Sequence, residues 1–477
     1  MKNLDNKDFL YLKIGHKIER QIQSGVLKLG NKLPSTRIMG QQYGVSISTV
    51  LQAYYYLESK SLIASKPRSG YYVTFSAHTL PDSPAMSNPD PSSILGKNTE
   101  LIIDFFQNIN AETVVNLSLG VPSEKLLPIA KLNKVLHEAI GVLTHGGTIQ
   151  GDILGRKKLR RQIAQRSALR GGGLTEDDVI ITSGCTSALS LALMAVTRPG
   201  DTIAVESPVY FGLIQLANTL GLRVIELPTH PLYGMDTEAL QTAIDTNEIK
   251  AVAVISNFSN PMGNTMSDNS KKALVEIIEK HNIPLIEDDI YGEIYYGDHR
   301  PTTCKTYDTK GLVLLCSSFS KTLSSGYRIG WISPGKFKAE VIRLKLYVSS
   351  TTTTVTEEAV SLFLEKGRYD HHLRKLRQRL HANSLQFLVA IGKYFPEETK
   401  VSRPQGSFLL WVQLPAHIDT RVLYKSAVAN GVRFSPGRIF TLQEQYYNCM
   451  RLSYALEWNN KVDDALKCLG QLIKDYK

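Results

Sequence analysis

The segment SSFSKTLSSGYRIGW (317–331) places Lys321 just beyond an apolar run, with Arg328 seven residues later among glycines. An amine past the end of a buried strand, ringed by hydroxyls and a guanidinium, suits a Schiff base to a cofactor aldehyde. Ser318, Ser320 and Arg328 are then free to hold a phosphate. A lone SxxK pattern is matched equally by a surface lysine, so the rest of the chain must decide. In LIEDDIYGE (285–293) a strand ends in acids: Asp288 can pair with a protonated pyridine nitrogen, and Tyr291 can hydrogen-bond a phenolic oxygen. SNPMGNT (259–265) offers Asn260 to that same oxygen. ITSGCTSAL (181–189) reads as strand, turn and helix, so the amides of Gly184, Cys185 and Thr186 would receive phosphate at a helix N-terminus. Tyr210 in ESPVYFG (206–212) could stack on a ring face, and Arg451 in MRLSYAL (450–456) can clamp a carboxylate bidentately. Pyridoxal 5'-phosphate is the cofactor that this set of groups suits. Taken singly, Asp288 also reads as an ion-pair partner, Tyr210 as core, Arg451 as a surface salt bridge and Cys185 as packing.

These residues sit at the ends of short apolar runs: VIITS (179–183), TIAVES (202–207), RVIELP (223–228), AVAVISN (251–257), PLIEDD (284–289) and LVLLCSS (312–318). Helical patterns over 185–198, 236–247 and 268–281 separate them, which predicts βαβ units and a mostly parallel sheet. Residues 77–92 hold four of the twenty prolines and predict a semi-extended linker. The expected organisation is a head over 1–76, a linker over 77–111 and an α/β body over 112–477. With 477 residues, 43% of them hydrophobic, the chain can bury a large core. No apolar run approaches the roughly 20 residues that cross a bilayer, and Met1–Lys13 lacks a signal-type stretch. Five scattered cysteines fit neither a disulfide framework nor a zinc site, so no metal is expected. The reading is a cytoplasmic protein with no membrane segment.

Charge is uneven. Residues 1–76 carry eleven basic and four acidic side chains, +7 of the total +11, and the remaining 401 residues carry +4. A basic terminal module beside a near-neutral body is the footprint of nucleic-acid binding, although a solvated face would look the same by charge alone. The pattern is more specific. Ile14, Ile18 and Ile22 make one apolar stripe ended by Gly25. Ser35 can cap a second helix that Gly44 ends, and Ser46 can cap a third whose inner face is Val50, Ala53 and Leu57. LIASKPRSGYYV (62–73) follows as a hairpin with Arg68 at its tip. Over about residues 9–75, SGVLKLGNKLPSTR (24–37), YGVSISTV (43–50), AYYYLESKSLI (53–63) and PRSGYYV (67–73) resemble the winged helix-turn-helix of the GntR family. The resemblance implies that Ser35 and Arg37 contact phosphates or bases. It also implies that Ser46, Ser48, Thr49 and Tyr54 face the major groove, and that Arg68 and Gly70 approach the minor groove. Where that family commonly has Arg, this chain has Ile47, which could meet a thymine methyl but cannot make a bidentate guanine contact.

From about residue 112 onward, the ordered set Gly184, Tyr210, Asn260, Asp288, Lys321 and Arg451 resembles the fold-type I aminotransferases. That implies a large domain with a mostly parallel sheet and a small C-terminal lobe. In TIQGDILGRKKLR (148–160), Gln150 falls where the family usually carries a Tyr that reaches the neighbouring subunit's phosphate. A GntR head on such a body resembles the MocR family of regulators. The implied protein is a homodimer that grips a double-stranded DNA operator at two half-sites spaced by whole helical turns, with each head against the partner's large domain. It would sense a small amino-compound effector, or the cofactor itself, through aldimine chemistry: the effector's carboxylate docks on Arg451 and its amine displaces Lys321. A working aminotransferase with an accessory head is the alternative.

Overall fold

The computed structural model describes residues 10–28, 30–60, 62–66, 69–73, 80–94, 115–168, 173–231, 233–297 and 299–476. Arg68, expected at the wing tip, lies outside them. The head opens with α1 (Leu10–Gln23), whose Ile14, Ile18 and Ile22 are all buried. Helix α2 (Thr36–Tyr43) is capped by Ser35, whose hydroxyl accepts from the Ile38 amide, and it ends at Gly44, which takes a left-handed φ of 63°. Helix α3 (Ile47–Ser59) is capped by Ser46, and Val50, Ala53 and Leu57 pack inward. Strands β1 (Ile63–Lys66) and β2 (Gly70–Val73) then pair antiparallel as the wing.

One expectation fails here. Tyr54, assigned to the DNA face, is fully buried in the head core, and its hydroxyl donates to the Pro34 carbonyl at 2.6 Å. It lies one residue on from Ala53, and the inward face of α3 is wide enough to include it. The phenol ties α3 to the start of α2 instead of reaching a phosphate.

The body is built on a seven-stranded sheet. Its strands are β3 (Ile180–Thr182), β4 (Thr202–Glu206), β5 (Arg223–Leu227), β6 (Ile249–Val254), β7 (Leu285–Asp288), β8 (Val313–Ser318) and β9 (Gly330–Ser333), in the spatial order β3-β9-β8-β7-β6-β4-β5. All neighbours run parallel except β9, which is antiparallel to both β8 and β3. The central strands are buried along their whole length, as expected of a sheet covered on both faces. Helix α4 (Cys185–Val196) follows β3 and α5 (Phe211–Thr219) follows β4, so their N-termini open at the carboxyl edge of the sheet. The long α6 (Arg368–Tyr394) leads into a small sheet of β10 (Lys400–Val401), β11 (Leu409–Gln413), β12 (Ser435–Pro436) and β13 (Cys449–Ser453), ordered β10-β11-β13-β12. No helix among the described residues is long and apolar enough to cross a membrane.

Residues 80–94 form no helix, consistent with their prolines, but they are not a free tether. The Val401 amide donates to Asp82 O at 2.7 Å, at the edge of the small sheet. The Thr229 amide donates to the Ser87 hydroxyl at 2.7 Å, and Ile94 exchanges two backbone bonds with Val224 on edge strand β5. Between these, the Asp90 amide donates to the Gln443 side-chain oxygen and the Gln443 amide returns a bond to Asp90 O, each at 2.8 Å. The segment therefore spans the edges of both sheets. On the head side, Leu80 and Leu385 of α6 pack against the head core.

Candidate functional site

The carboxyl edge of the large sheet opens into a cleft of about 970 Å³. Lys321, Asp288, Tyr291, Asn260, Tyr210, Cys185, Thr186, Ser320, Arg328 and Arg451 all line it, although they come from segments up to 266 residues apart. Asp288 ends β7 at the centre of the sheet. Its Oδ1 accepts from the Ile290 amide at 3.0 Å and from the Cys185 thiol at 3.2 Å, the latter standing at the N-terminus of α4. Lys321 follows β8 and donates to the Gly120 carbonyl oxygen across the cleft, with its amine 6.0 Å from the centre of the Tyr291 ring. Tyr291 is held edge-on against Phe408. Tyr210 folds back over Gly212, where a Cβ would stand 2.4 Å from the phenol ring, so only glycine leaves the ring room.

At one end of the cleft, Arg328 takes a left-handed φ of 54° and donates to Ser183 O at 3.0 Å. Gly184, itself at φ 84°, lies against it: a Cβ there would come within 2.3 Å of the guanidinium. Among the described residues, Arg328 is the residue lining the cleft, apart from glycine, that takes such a conformation. The Ser320 hydroxyl is 2.8 Å from that of Ser318. Ser318 departs from expectation. It does not line this cleft, and its hydroxyl donates to Ile329 O at 2.8 Å while accepting from the Ser320 amide at 3.0 Å. It braces Ser320 because its β8 side chain points to the other side of the loop.

Arg451 on β13 also lines the cleft and is 2% exposed. Its guanidinium donates to Asn260 Oδ1 at 3.0 Å, Ser118 O at 2.6 Å and Ser435 Oγ at 3.1 Å, and it lies 5.1 Å from the Phe440 ring centre. Among the described residues no carboxylate pairs with it, and its Nε has no hydrogen-bond partner. A buried cation without a counter-ion is costly, and the usual remedy is an anion from outside. A larger cleft of about 1160 Å³ lies elsewhere in the body. Its ionic groups already neutralise one another, Arg300 with Asp289, Lys305 with Asp308 and Arg166 with Asp370, so it lacks that demand.

The model of the aminotransferase class I and II family matches residues 112–469, and that of the bacterial regulatory proteins of the gntR family matches residues 10–73. The HTH-type transcriptional regulator YjiR of Escherichia coli K12 is 37% identical over 96% of this chain and 97% of its own length. The chain belongs to the MocR-type branch of the GntR family. This MocR-type chain is also 34% identical to YdcR of the same organism, over 98% of the chain and 99% of that protein. The crystal structure of Pyrococcus horikoshii kynurenine aminotransferase is similar to it at 26% identity and a TM-score of 0.74, covering 79% of this chain and 94% of that one.

The head of the MocR-type chain presents Ser35, Arg37, Ser46, Ser48 and Gly70 to solvent, with Thr49 half-buried beside them. The Ser46 hydroxyl is 2.7 Å from that of Ser48 and 2.8 Å from that of Thr49, a hydroxyl cluster at the N-terminus of α3. Ile47 is 51% exposed among them. Gln150 is exposed, and its amide donates to the Ser350 hydroxyl at 2.8 Å. Sequence reasoning missed one wall of the cleft and one acid behind it. The stretch Ser118–Val121 supplies one wall, and only the glycine of SLGVPS hinted at a close approach. Glu206, the first residue of ESPVYFG, ends β4 and lines a small cavity behind the cleft together with Tyr210; its position before a proline turn gives no sequence signal of burial.

Charge in the MocR-type cleft is tuned by burial. Desolvation, reinforced by the positive Arg451, holds the Lys321 amine down to about 8. Burial lowers Arg451 to about 10, so it stays cationic at neutral pH. Asp288 is pushed up to about 6 by burial, against the pull of its bonds from Cys185 and Ile290, and is ionised at pH 7. Reductive methylation of ligand-free protein, followed at Lys321 by mass spectrometry, should therefore titrate near pH 8, where an ordinary lysine is still almost fully charged. Arg451→Leu removes a positive neighbour and should move that midpoint upward.

Proposed function

We propose that the chain is a pyridoxal 5'-phosphate-containing, DNA-binding transcriptional regulator that senses a small amino compound at the cleft. The observation that carries this reading is the buried, carboxylate-free Arg451 lining the same cleft as Lys321, Asp288 and Arg328. The residues present fit the cofactor, since one cleft brings together an amine (Lys321), a buried carboxylate (Asp288), phenol and amide groups (Tyr291, Asn260) and a guanidinium beside a helix N-terminus (Arg328, Cys185, Thr186). Asp288 would meet its pyridine nitrogen, and Tyr291 and Asn260 its phenolic oxygen. Tyr210 would lie on its ring. Ser320, Arg328 and the backbone amides of Gly184, Cys185 and Thr186 would hold its phosphate. When bound, this group supplies an electrophilic aldehyde carbon. Lys321, depressed toward neutrality, is the amine ready to meet it, and Arg451 orients an incoming amino compound by its carboxylate.

The head supplies the DNA contacts: Arg37 and the hydroxyls of Ser35, Ser46, Ser48 and Thr49 for the backbone and groove edges, with Gly70 and Arg68 in the wing. Relatives that are named HTH-type transcriptional regulators over nearly this whole length support regulation. The linker gives the cleft a route to the head. Phe440 stacks near Arg451, Thr441 donates to buried Glu226, and Gln443 clamps Asp90. A shift of this loop on binding therefore pulls on the segment leading to α1–α3. A ligand changes DNA affinity only by its different affinity for the two states of that loop. Exposed Ile149, Leu346, Tyr347 and Val348, gathered by the Gln150–Ser350 bond, form an apolar surface suited to a second copy of the chain.

A working aminotransferase is the second reading, favoured by the 27% identity to aromatic-amino-acid aminotransferase 1 of Thermococcus litoralis over 80% of this chain. Footprinting on DNA upstream of its own coding sequence, with and without pyridoxal phosphate and a panel of amino acids, separates the two. Rapid multiple turnover with no footprint would favour the enzyme. Lys321→Ala should abolish the visible absorption of the reconstituted protein, and a band that persists would refute the amine assignment. Arg37→Ala should weaken DNA binding and lower the slope of log affinity against log salt by about one. Gln443→Ala should keep the spectral response to amino compounds while DNA affinity stops following it.

A further inference from the structure

Behind Tyr210 the sheet edge closes over a small cavity with room for about one water molecule. Two carboxyl groups line it, those of Glu206 and Asp288, among Leu189, Val209, Leu213 and Ile255. Glu206 ends β4 and Asp288 ends β7, and β6 runs between them, so both side chains reach over the end of the same strand. Glu206 is 4% exposed. Its Oε2 accepts from the Ile255 amide at 2.8 Å, while Oε1 has no hydrogen-bond partner. A buried polar oxygen without a partner, aimed into a cavity of this size, marks a place for an ordered water.

Protonation decides the direction of that contact. Burial, with the negative Asp288 adding to it, pushes Glu206 up to about 8, so it carries a proton at neutral pH. Asp288 is ionised there, and the charged or titratable groups facing it are Cys185 on α4, its neighbour Asp289 and Lys321 after β8. Two ionised carboxylates could not share so small a space, but an acid and a carboxylate can, bridged by one water.

We propose that Glu206 is a positioning residue that donates, as the neutral acid and through a single water, to Asp288. The contact would complete a set of donors formed with the Cys185 thiol and the Ile290 amide, holding Asp288 anionic and aimed at the cleft. Its consequence for the cofactor rests on the reading that Asp288 faces the pyridine nitrogen. The hydrogen bond itself does not.

The test begins with ligand-free protein. Infrared difference spectra between wild type and Glu206→Gln at pH 7 should show a protonated-carboxyl stretch that the variant lacks. If only ionised carboxylate is lost, the proposal is overturned. The midpoint at which Asp288 protonates, isolated with Asp288→Asn, should rise by about one pH unit in Glu206→Leu, which removes the donor, and stay near wild type in Glu206→Gln, which keeps one. An unchanged midpoint in the leucine variant, or equal shifts in both, would overturn it. If these results hold and no visible absorption ever forms with pyridoxal phosphate, the cofactor reading fails and the Glu206–Asp288 contact stands.

Discussion

The body is organised around a positive charge that its own residues leave unanswered. Arg451 lies on the inner sheet of the small lobe, fixed by Asn260 from the large domain, by the Ser118 carbonyl and by Ser435. All three partners are neutral. They orient the guanidinium and satisfy part of its hydrogen-bonding capacity, but they do not cancel its charge. The same charge reaches across the cleft and, together with burial, keeps the Lys321 amine closer to neutral than a surface lysine. One cation without a carboxylate partner thus lowers the charge state of the amine across the cleft, while burial sets the states of Asp288 and Glu206 at the sheet edge.

The partners of Arg451 also matter for how the parts of the chain communicate. They come from three separate stretches, the turn at Ser118, the loop after β6 and the small lobe, so Arg451 ties these three together. The loop after β12 continues from Phe440 to Thr441 and Gln443. There it is held on one side by Glu226 of edge strand β5 and on the other by Asp90 of the linker. A change at the cleft therefore has a short covalent and hydrogen-bonded route to the segment that carries the head.

Much of this was legible in the sequence, for identifiable reasons. The central strands β7 and β8 are buried along their whole length, so they read as largely apolar runs, and Asp288 and Lys321 sit at or just beyond their ends. The helix caps Ser35, Gly44 and Ser46 were visible because capping needs particular side chains or a left-handed backbone. Strand β9 was not legible: it is four residues long, begins at a glycine and pairs antiparallel within an otherwise parallel sheet. Tyr54 was misplaced because a helix of alternating hydroxyls and aromatics does not declare how wide its inward face is. Ser318 and Ser320 could not be told apart, since both stand next to Lys321 and only the turn of the backbone decides which one faces the cleft. Glu206 was passed over because a lone acid before a proline turn looks like surface until its burial is known.

The pinned linker bears on modular recombination. Residues 80–94 bond to both sheet edges and to Gln443, through their backbone and the Ser87 hydroxyl, so the stretch between head and body is a docked strap and not a free spacer. A chimaera that joined a foreign head at the proline-rich stretch would keep the hydrogen bonds that seat the strap only if residues 80–94 and the docking loop around Gln443 were inherited as one unit.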